Sequence, residues 1–403
     1  MSSVRIKFNE NPIAPLKGTE VSLLSKEVAE KVRDFHQTFP SYQPTPLAKL
    51  DQLAEHLGLG SILIKDESYR FGLNAFKVLG GSYAVGKILA EMLGKDISEV
   101  SCSDLSSKET SDKIGDITFA STTDGNHGRG LAWAAKEFNK KAIIYMPKGS
   151  APIRRDNIQA LGSDCTITEL NYDDCVRMAW DKAQQEGWIT VQDTAWDGYE
   201  DIPNTIMQGY TTLALEALEQ MQAQGIERPT HVLLQAGVGC FAGAMIGFFM
   251  SAFGKDCPKF IIVEPDAANC FYVSACANDG KPHTVEGDLL TLMAGLACGE
   301  PNKTSWEMLR DYPVAYASCS DDIAATGMRV LGAPIKGDPQ VTSGESGAAT
   351  TGFLHWVMTS EEGKEAREKL GLDLNAQVLC ISTEGDTSPE LYRDVLWHGR
   401  DNL

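Results

Sequence analysis

Short β-rich runs alternate with longer amphipathic ones along nearly the whole chain, and this alternation restricts the fold more than any other feature. Residues 61–65, 117–120, 142–145, 165–168, 189–192, 231–235, 260–263 and 378–381 read as strands. Between them, 82–93, 128–138, 172–186, 210–221 and 347–358 carry helical periodicity, with 76–80 joining the first. Strand, helix, strand is the pattern of βαβ units, whose crossovers make the strands run parallel. The expected fold is α/β, with two domains of mostly parallel, open twisted sheets flanked by helices. The alternation is most regular from 117 to 192. This predicts a small inserted α/β domain at 95–195 and a large domain made of 1–94 plus 196–403. The polar stretch 101–113, with Leu105 its only large apolar residue, reads as a surface excursion.

A chain of 403 residues suits two domains of ordinary size, and 43% apolar residues are enough for a large core. Asp and Glu outnumber Lys and Arg by 55 to 36, a net charge of −19, and no basic run offsets it. Such a chain repels nucleic acid and anionic membrane. Residues 1–7 lack the apolar stretch of a signal peptide, and 243–253, the most apolar run, is shorter than the roughly 18 residues of a membrane span. The ten cysteines are scattered, without a C-x-x-C pair, and no suitably spaced histidine completes a zinc site around Cys270, Cys276 and Cys298. Buried reduced thiols in a cytoplasmic enzyme without a metal are expected.

Four segments at strand ends carry the chemistry, where open α/β sheets bind ligands. In the first, Lys77 follows Phe71-Gly72-Leu73-Asn74-Ala75-Phe76 and precedes Gly80-Gly81 at a helix start. Burial and the helix dipole both lower an amine's pKa there, as imine formation with an aldehyde requires; the plainer reading is a lysine snorkelling at a helix rim. The second, Ser121-Thr122-Thr123-Asp124-Gly125-Asn126-His127-Gly128-Arg129-Gly130, offers hydroxyls and a helix N-terminus to a carboxylate. Asn126 is placed to hydrogen-bond a ring oxygen, and an ordinary helix cap is the alternative. The third runs from His231 into Gly237-Val238-Gly239-Cys240, small residues whose backbone N–H groups converge on a phosphate. Gly237, Gly239 and Gly243 with Glu264 also suggest a dinucleotide fingerprint, but their spacing is one residue too long. The fourth, Cys380-Ile381-Ser382-Thr383-Glu384-Gly385-Asp386, brings a neutral hydroxyl to a strand end, suited to a pyridine nitrogen or to a capping turn.

Taken together, the four segments resemble the tryptophan-synthase-β-like (fold type II) family of pyridoxal-phosphate enzymes, which includes the serine and threonine dehydratases. Order and spacing agree across nearly the whole chain, and Thr45-Pro46-Leu47 and Ser343-Gly344-Glu345-Ser346-Gly347 fit the same pattern. Within that family, the runs around Lys77, Asp124, Asp193 and Ser382 are similar to those of the branch that releases ammonia from 2,3-diaminopropionate, D and L, leaving pyruvate.

The resemblance implies pyridoxal 5'-phosphate in the cleft between domains, linked to Lys77, with Asn126 on its phenolic oxygen and Gly237, Val238, Gly239 and Cys240 on its phosphate. Ser382 is the first choice for the pyridine nitrogen and Thr383 the second. A hydroxyl there leaves the ring unprotonated and favours elimination over transamination. Thr122, Thr123, Asp124 and Asp193 would contact substrate. Lys77 would take the α-proton of the L isomer and Asp124 that of the D isomer. Asp193 would bind the distal ammonium or help protonate the departing amine; a turn-forming aspartate is the plainer reading. A small-molecule amino acid substrate and a homodimer follow from the same resemblance. The rivals are a serine/threonine dehydratase, a dinucleotide-dependent oxidoreductase and a silent cofactor-binding protein.

Overall fold

The structure, a computed structural model, describes residues 3–9, 12, 21–123 and 125–403. Its strands, in chain order, are β1 (Val4–Phe8), β2 (Leu47–Lys49), β3 (Ser61–Asp66), β4 (Thr118–Thr122), β5 (Lys141–Met146), β6 (Asp164–Ile167), β7 (Ile189–Thr190), β8 (His231–Gln235), β9 (Lys259–Pro265), β10 (Pro313–Cys319) and β11 (Gln377–Ser382). They form a seven-stranded sheet of order β1-β10-β9-β8-β11-β3-β2 and a four-stranded sheet of order β6-β5-β4-β7. The four-stranded sheet is parallel throughout. In the larger one only the edge strands β1 and β2 run antiparallel. This is the expected α/β architecture.

Burial explains which strands were legible. Strands β3 and β8 are buried at every residue, as strands covered on both faces must be, and read as apolar runs. Strands β1, β2 and β10 went unpredicted. The first two are short edge strands without a fully buried residue, and β10, Pro-Val-Ala-Tyr-Ala-Ser-Cys, begins with proline and is rich in small residues. The 101–113 stretch also differs from expectation. It forms helices Cys102–Leu105 and Lys108–Ile114, started by the Ser101 and Ser107 caps, and Leu105 is fully buried. Among the described residues, no helix is long and apolar enough to cross a membrane.

Glycines bring the helices close enough to build a site. Helices Val78–Met92 and Asn126–Glu137 meet at Gly81 and Gly130, where a Cβ on Gly130 would stand 2.8 Å from the Val78 Cα. Helix Asp201–Ala223 crosses the other side of Val78–Met92, and a Cβ on Gly209 would lie 2.7 Å from the Gly80 Cα. No larger residue fits these crossings without moving backbone.

Next to this crossing, His36 is fully buried, with Nε2 3.0 Å from the Leu79 carbonyl and Nδ1 2.8 Å from Thr212 Oγ1. A carbonyl only accepts, so Nε2 of the ring carries a proton. Burial, helped by the Arg70 charge, pushes its pKa down to about 3. The unfolded chain therefore binds a proton that the folded chain refuses between about pH 6.5 and 3. Folding stability should fall across that window as pH drops, by up to about 1.4 kcal/mol per pH unit from this group. Urea midpoints measured against pH should show that slope, and His36→Gln should flatten it.

Candidate active site

Lys77 stands at the N-terminal cap of helix Val78–Met92. The segment before it turns through two non-glycine residues of positive φ, Phe71 (φ 49) and Asn74 (φ 58). Pairing with the loop after β11 holds that turn: Phe76 N–H donates to the Thr383 carbonyl at 3.1 Å and Gly385 N–H to the Asn74 carbonyl at 3.0 Å. The first and fourth sequence segments are thus joined directly.

The Lys77 amine enters a cavity whose wall includes Asn126, Asp193, Gln235, the 237–240 loop, Thr383 and Glu384. Its Nζ donates to Asp193 Oδ2 at 3.0 Å. Asp193 is buried, which favours the neutral acid, but the His127 ring 3.8 Å away and the Lys77 ammonium hold its pKa down to about 2. Opposite, Asn126 Nδ2 donates to Glu384 Oε2 at 2.5 Å. Glu384 also accepts from Thr387 Oγ1 at 3.1 Å.

The 237–240 loop opens helix Cys240–Phe253. Gly239 forms its N-cap at φ +100, a conformation that favours glycine, and no side chain caps the helix. The first-turn N–H groups lack helical acceptors, and the helix dipole adds positive potential there. Asn302 secures this loop: its Nδ2 donates to the Asp193 carbonyl at 3.0 Å and to Cys240 Sγ at 2.6 Å, and its N–H donates to the Val238 carbonyl at 2.7 Å.

Not every predicted residue reaches the cavity. Thr122 ends β4 with its hydroxyl donating to the Cys175 carbonyl at 3.2 Å, under helix Tyr172–Glu186. Thr123 Oγ1 accepts from the N–H groups of Gly125 (2.8 Å) and Gly128 (3.0 Å), so it works as a cap. Neither lines the cavity. Asp124 lies outside the described residues. Ser382 donates to Ser343 Oγ at 2.8 Å, away from the cavity, while Thr383 lines it. Successive residues at a strand end face opposite sides, so this choice depends on one residue of register. Glu264, the acid of the dinucleotide reading, accepts from the N–H groups of Phe271 and Tyr272 at 2.9 and 2.7 Å. It caps helix Cys270–Ala277, and burial raises its pKa to about 8. Sequence reasoning overlooked Gln235 and Glu384. Both were written in the segments singled out, and Gln235 is the polar end of an otherwise apolar strand run.

The model of the pyridoxal-phosphate dependent enzyme family matches residues 38–367. The chain belongs to this family. Among its relatives is the diaminopropionate ammonia-lyase of Salmonella typhimurium, 52% identical over 398 residues and 98% of each chain. The crystal structure of the Escherichia coli diaminopropionate ammonia lyase with D-serine superposes at a TM-score of 0.92, with 48% identity and coverage of 99% of this chain and 98% of that one. The same enzyme with an aminoacrylate-PLP azomethine reaction intermediate gives 0.91 and 48%, covering 100% and 98%.

The cavity suits the cofactor that defines this family of pyridoxal-phosphate enzymes. It holds an amine for an aldehyde, an uncapped helix N-terminus for a phosphate and a neutral hydroxyl for a ring nitrogen. Two of its buried polar atoms, Gln235 Oε1 and Tyr210 Oη, find no partner among the described residues, as expected of a wall that a polar ligand completes. All ten cysteines are free and eight are buried, in keeping with reduced thiols. Among the described residues no group of side chains is arranged to hold a metal ion.

Proposed function

We propose that this chain removes both amino groups of 2,3-diaminopropionate, D or L, by α,β-elimination, giving pyruvate and two ammonia. The observation that carries the reading is the meeting of the Lys77 amine, the buried Asp193 carboxylate 3.0 Å away and an uncapped helix N-terminus in one cavity. Pyridoxal phosphate, when bound, supplies the electron sink that makes an amino acid's α-hydrogen removable.

The chain's own groups do the rest. Lys77 attaches the cofactor and, once freed by substrate, takes the α-proton of the L isomer at Nζ. Asp124, between Thr123 and Gly125 in sequence, is the group assigned to take that of the D isomer. Asp193, 3.0 Å from Nζ and buried, holds the distal ammonium or helps protonate the departing amine. Asn126 serves the phenolic oxygen, 237–240 the phosphate, and Thr383, in place of Ser382, the pyridine nitrogen. Departure of the β-amine leaves an enamine that takes up water, yielding pyruvate and the second ammonia.

The same reading assigns 1–94 plus 196–403 to a large cofactor-binding domain and 95–195 to a small inserted one. It takes the protein as a cytoplasmic homodimer in amino-acid catabolism. The strands of the smaller sheet, all between Thr118 and Thr190, support the domain division.

Pyruvate release from D- and L-diaminopropionate, with D-serine and L-threonine as comparators, tests the function on wild type and Asp124→Asn. Both isomers of diaminopropionate should outpace the hydroxy amino acids. The variant should lose about 100-fold or more on the D isomer and less than about tenfold on the L isomer. Equal losses would assign Asp124 to binding, and a cofactor-loaded protein that releases no pyruvate from either isomer would sink the assignment.

A further inference from the structure

We propose that Gln235 is a positioning residue: it fixes the Thr383 hydroxyl as a donor toward the cofactor's pyridine nitrogen and so keeps that nitrogen unprotonated. The inference rests on the reading that Thr383 meets the nitrogen, and it adds the group that decides the direction of that hydrogen bond.

Gln235 ends β8 and is 2% exposed. Its side-chain nitrogen lies 2.9 Å from the Ile381 carbonyl oxygen and 2.9 Å from Thr383 Oγ1. The two ends of an amide are distinguished by their partners, and here one partner is decisive. A backbone carbonyl accepts only, so the NH2 end must face Ile381, and its second hydrogen points at Thr383. Thr383 Oγ1 is therefore an acceptor from Gln235. Among the described residues it makes no other hydrogen bond, and Thr383 lines the cavity. Its own hydrogen is left to serve the cavity.

An unprotonated ring nitrogen accepts that hydrogen, and both hydrogens of the Gln235 nitrogen and the Thr383 hydroxyl are then paired. A protonated ring would need the oxygen to accept a second time, leaving the buried hydroxyl hydrogen without an acceptor, which is costly. Strands β8 and β11 are neighbours in the sheet, so the direction of this bond is built into the scaffold rather than into a mobile loop.

The test loads wild type, Gln235→Glu, Gln235→Met and Thr383→Val with pyridoxal phosphate labelled with 15N in the ring. It reads the ring 15N chemical shift from pH 6 to 9 and the cofactor dissociation constant of each apoprotein, with thermal melting as the check of folding. Wild type should show an unprotonated nitrogen throughout. In Gln235→Glu the carboxylate takes the Thr383 hydrogen, the oxygen turns a lone pair to the ring, and the protonated-to-unprotonated ratio should rise about tenfold, one pKa unit. If that variant does not fold, Gln235→Met decides. Without the amide donor, Thr383 can turn its hydrogen to the Ile381 carbonyl, so the shift should move in the same direction and cofactor binding should weaken several-fold. Shift and affinity that change in Thr383→Val but in neither Gln235 variant would overturn the role of Gln235 and leave Thr383 in place. No change in Thr383→Val, or a protonated wild-type ring, would overturn the underlying reading and this inference with it.

Discussion

Replacing Lys77 by alanine should lower pyruvate release from either isomer of diaminopropionate by at least about 1000-fold, because attachment of the cofactor and proton transfer from the L isomer are lost together. The change also leaves Asp193 as a buried carboxylate without its ammonium partner, since Nζ is the donor 3.0 Å from Oδ2. A buried charge stripped of its partner is destabilising, so the apoprotein should melt lower as well. Lys77→Arg separates the two effects. Its guanidinium restores the charge beside Asp193 but cannot form an imine, so stability should return towards wild type while turnover stays near that of the alanine variant. Steady-state assays, apoprotein melting and borohydride trapping of the cofactor followed by peptide mass spectrometry would check this. Substantial turnover in either variant would place the reacting amine elsewhere.

The second large effect belongs to stability. Behind the Lys77 segment, Lys65, Glu67, Arg70 and Glu216 form an ion cluster in which no member is more than 2% exposed. Glu216 Oε2 accepts from Lys65 Nζ and Arg70 Nη2, each at 2.7 Å, and its Oε1 accepts from the Tyr42 hydroxyl at 2.8 Å. Glu67 takes Arg70 Nε at 2.8 Å and the Thr45 hydroxyl at 2.6 Å. Two cations face two carboxylates, so the cluster is neutral only while complete. Burial works against the Glu216 charge, but Arg70 and Lys65 hold its pKa below the usual carboxylate range.

Glu216→Gln should therefore cost about 3–5 kcal/mol in urea unfolding, because it strands a buried positive charge. Glu219→Gln, which breaks a half-exposed pair with Arg33, should cost less than about 1 kcal/mol. Changing Lys65 to Met together with Glu216 to Leu removes one charge of each sign and leaves Arg70 with Glu67. That double variant should be more stable than Glu216→Gln. The opposite order would mean that the cluster acts through shape rather than charge. Since Arg70 lies in the turn that leads to Lys77, the unstable variant should also bind the cofactor more weakly.

Much of the site was legible because its groups lie in short runs at strand ends. Lys77, Asn126, Asp193 and the 237–240 loop were read from such runs, and all border one cavity. The residues that turn away from the cavity do so for one reason. Thr122, Thr123 and Ser382 were chosen from the same runs, yet each hydroxyl is spent on its surroundings. A sequence states which polar groups are near a strand end but not which face each takes, and a one-residue step in register reverses the answer. Helices Cys102–Leu105 and Lys108–Ile114 were missed because their signal is capping by serines rather than an apolar stripe.

The sequence by itself determined the α/β class, the parallel connectivity and the chemistry of the four segments, because strand burial, helix periodicity and glycine-rich turns are local properties. The tertiary structure decided what depends on distant residues meeting. Asp193 lies against an amine 116 positions away, Gln235 reaches a hydroxyl 148 positions away, and Glu216 closes an ion cluster around Arg70, 146 positions away. Hydrogen-bond direction and the ionisation of a buried carboxylate are set by whatever lies within a few ångströms, and only the folded chain brings those partners together.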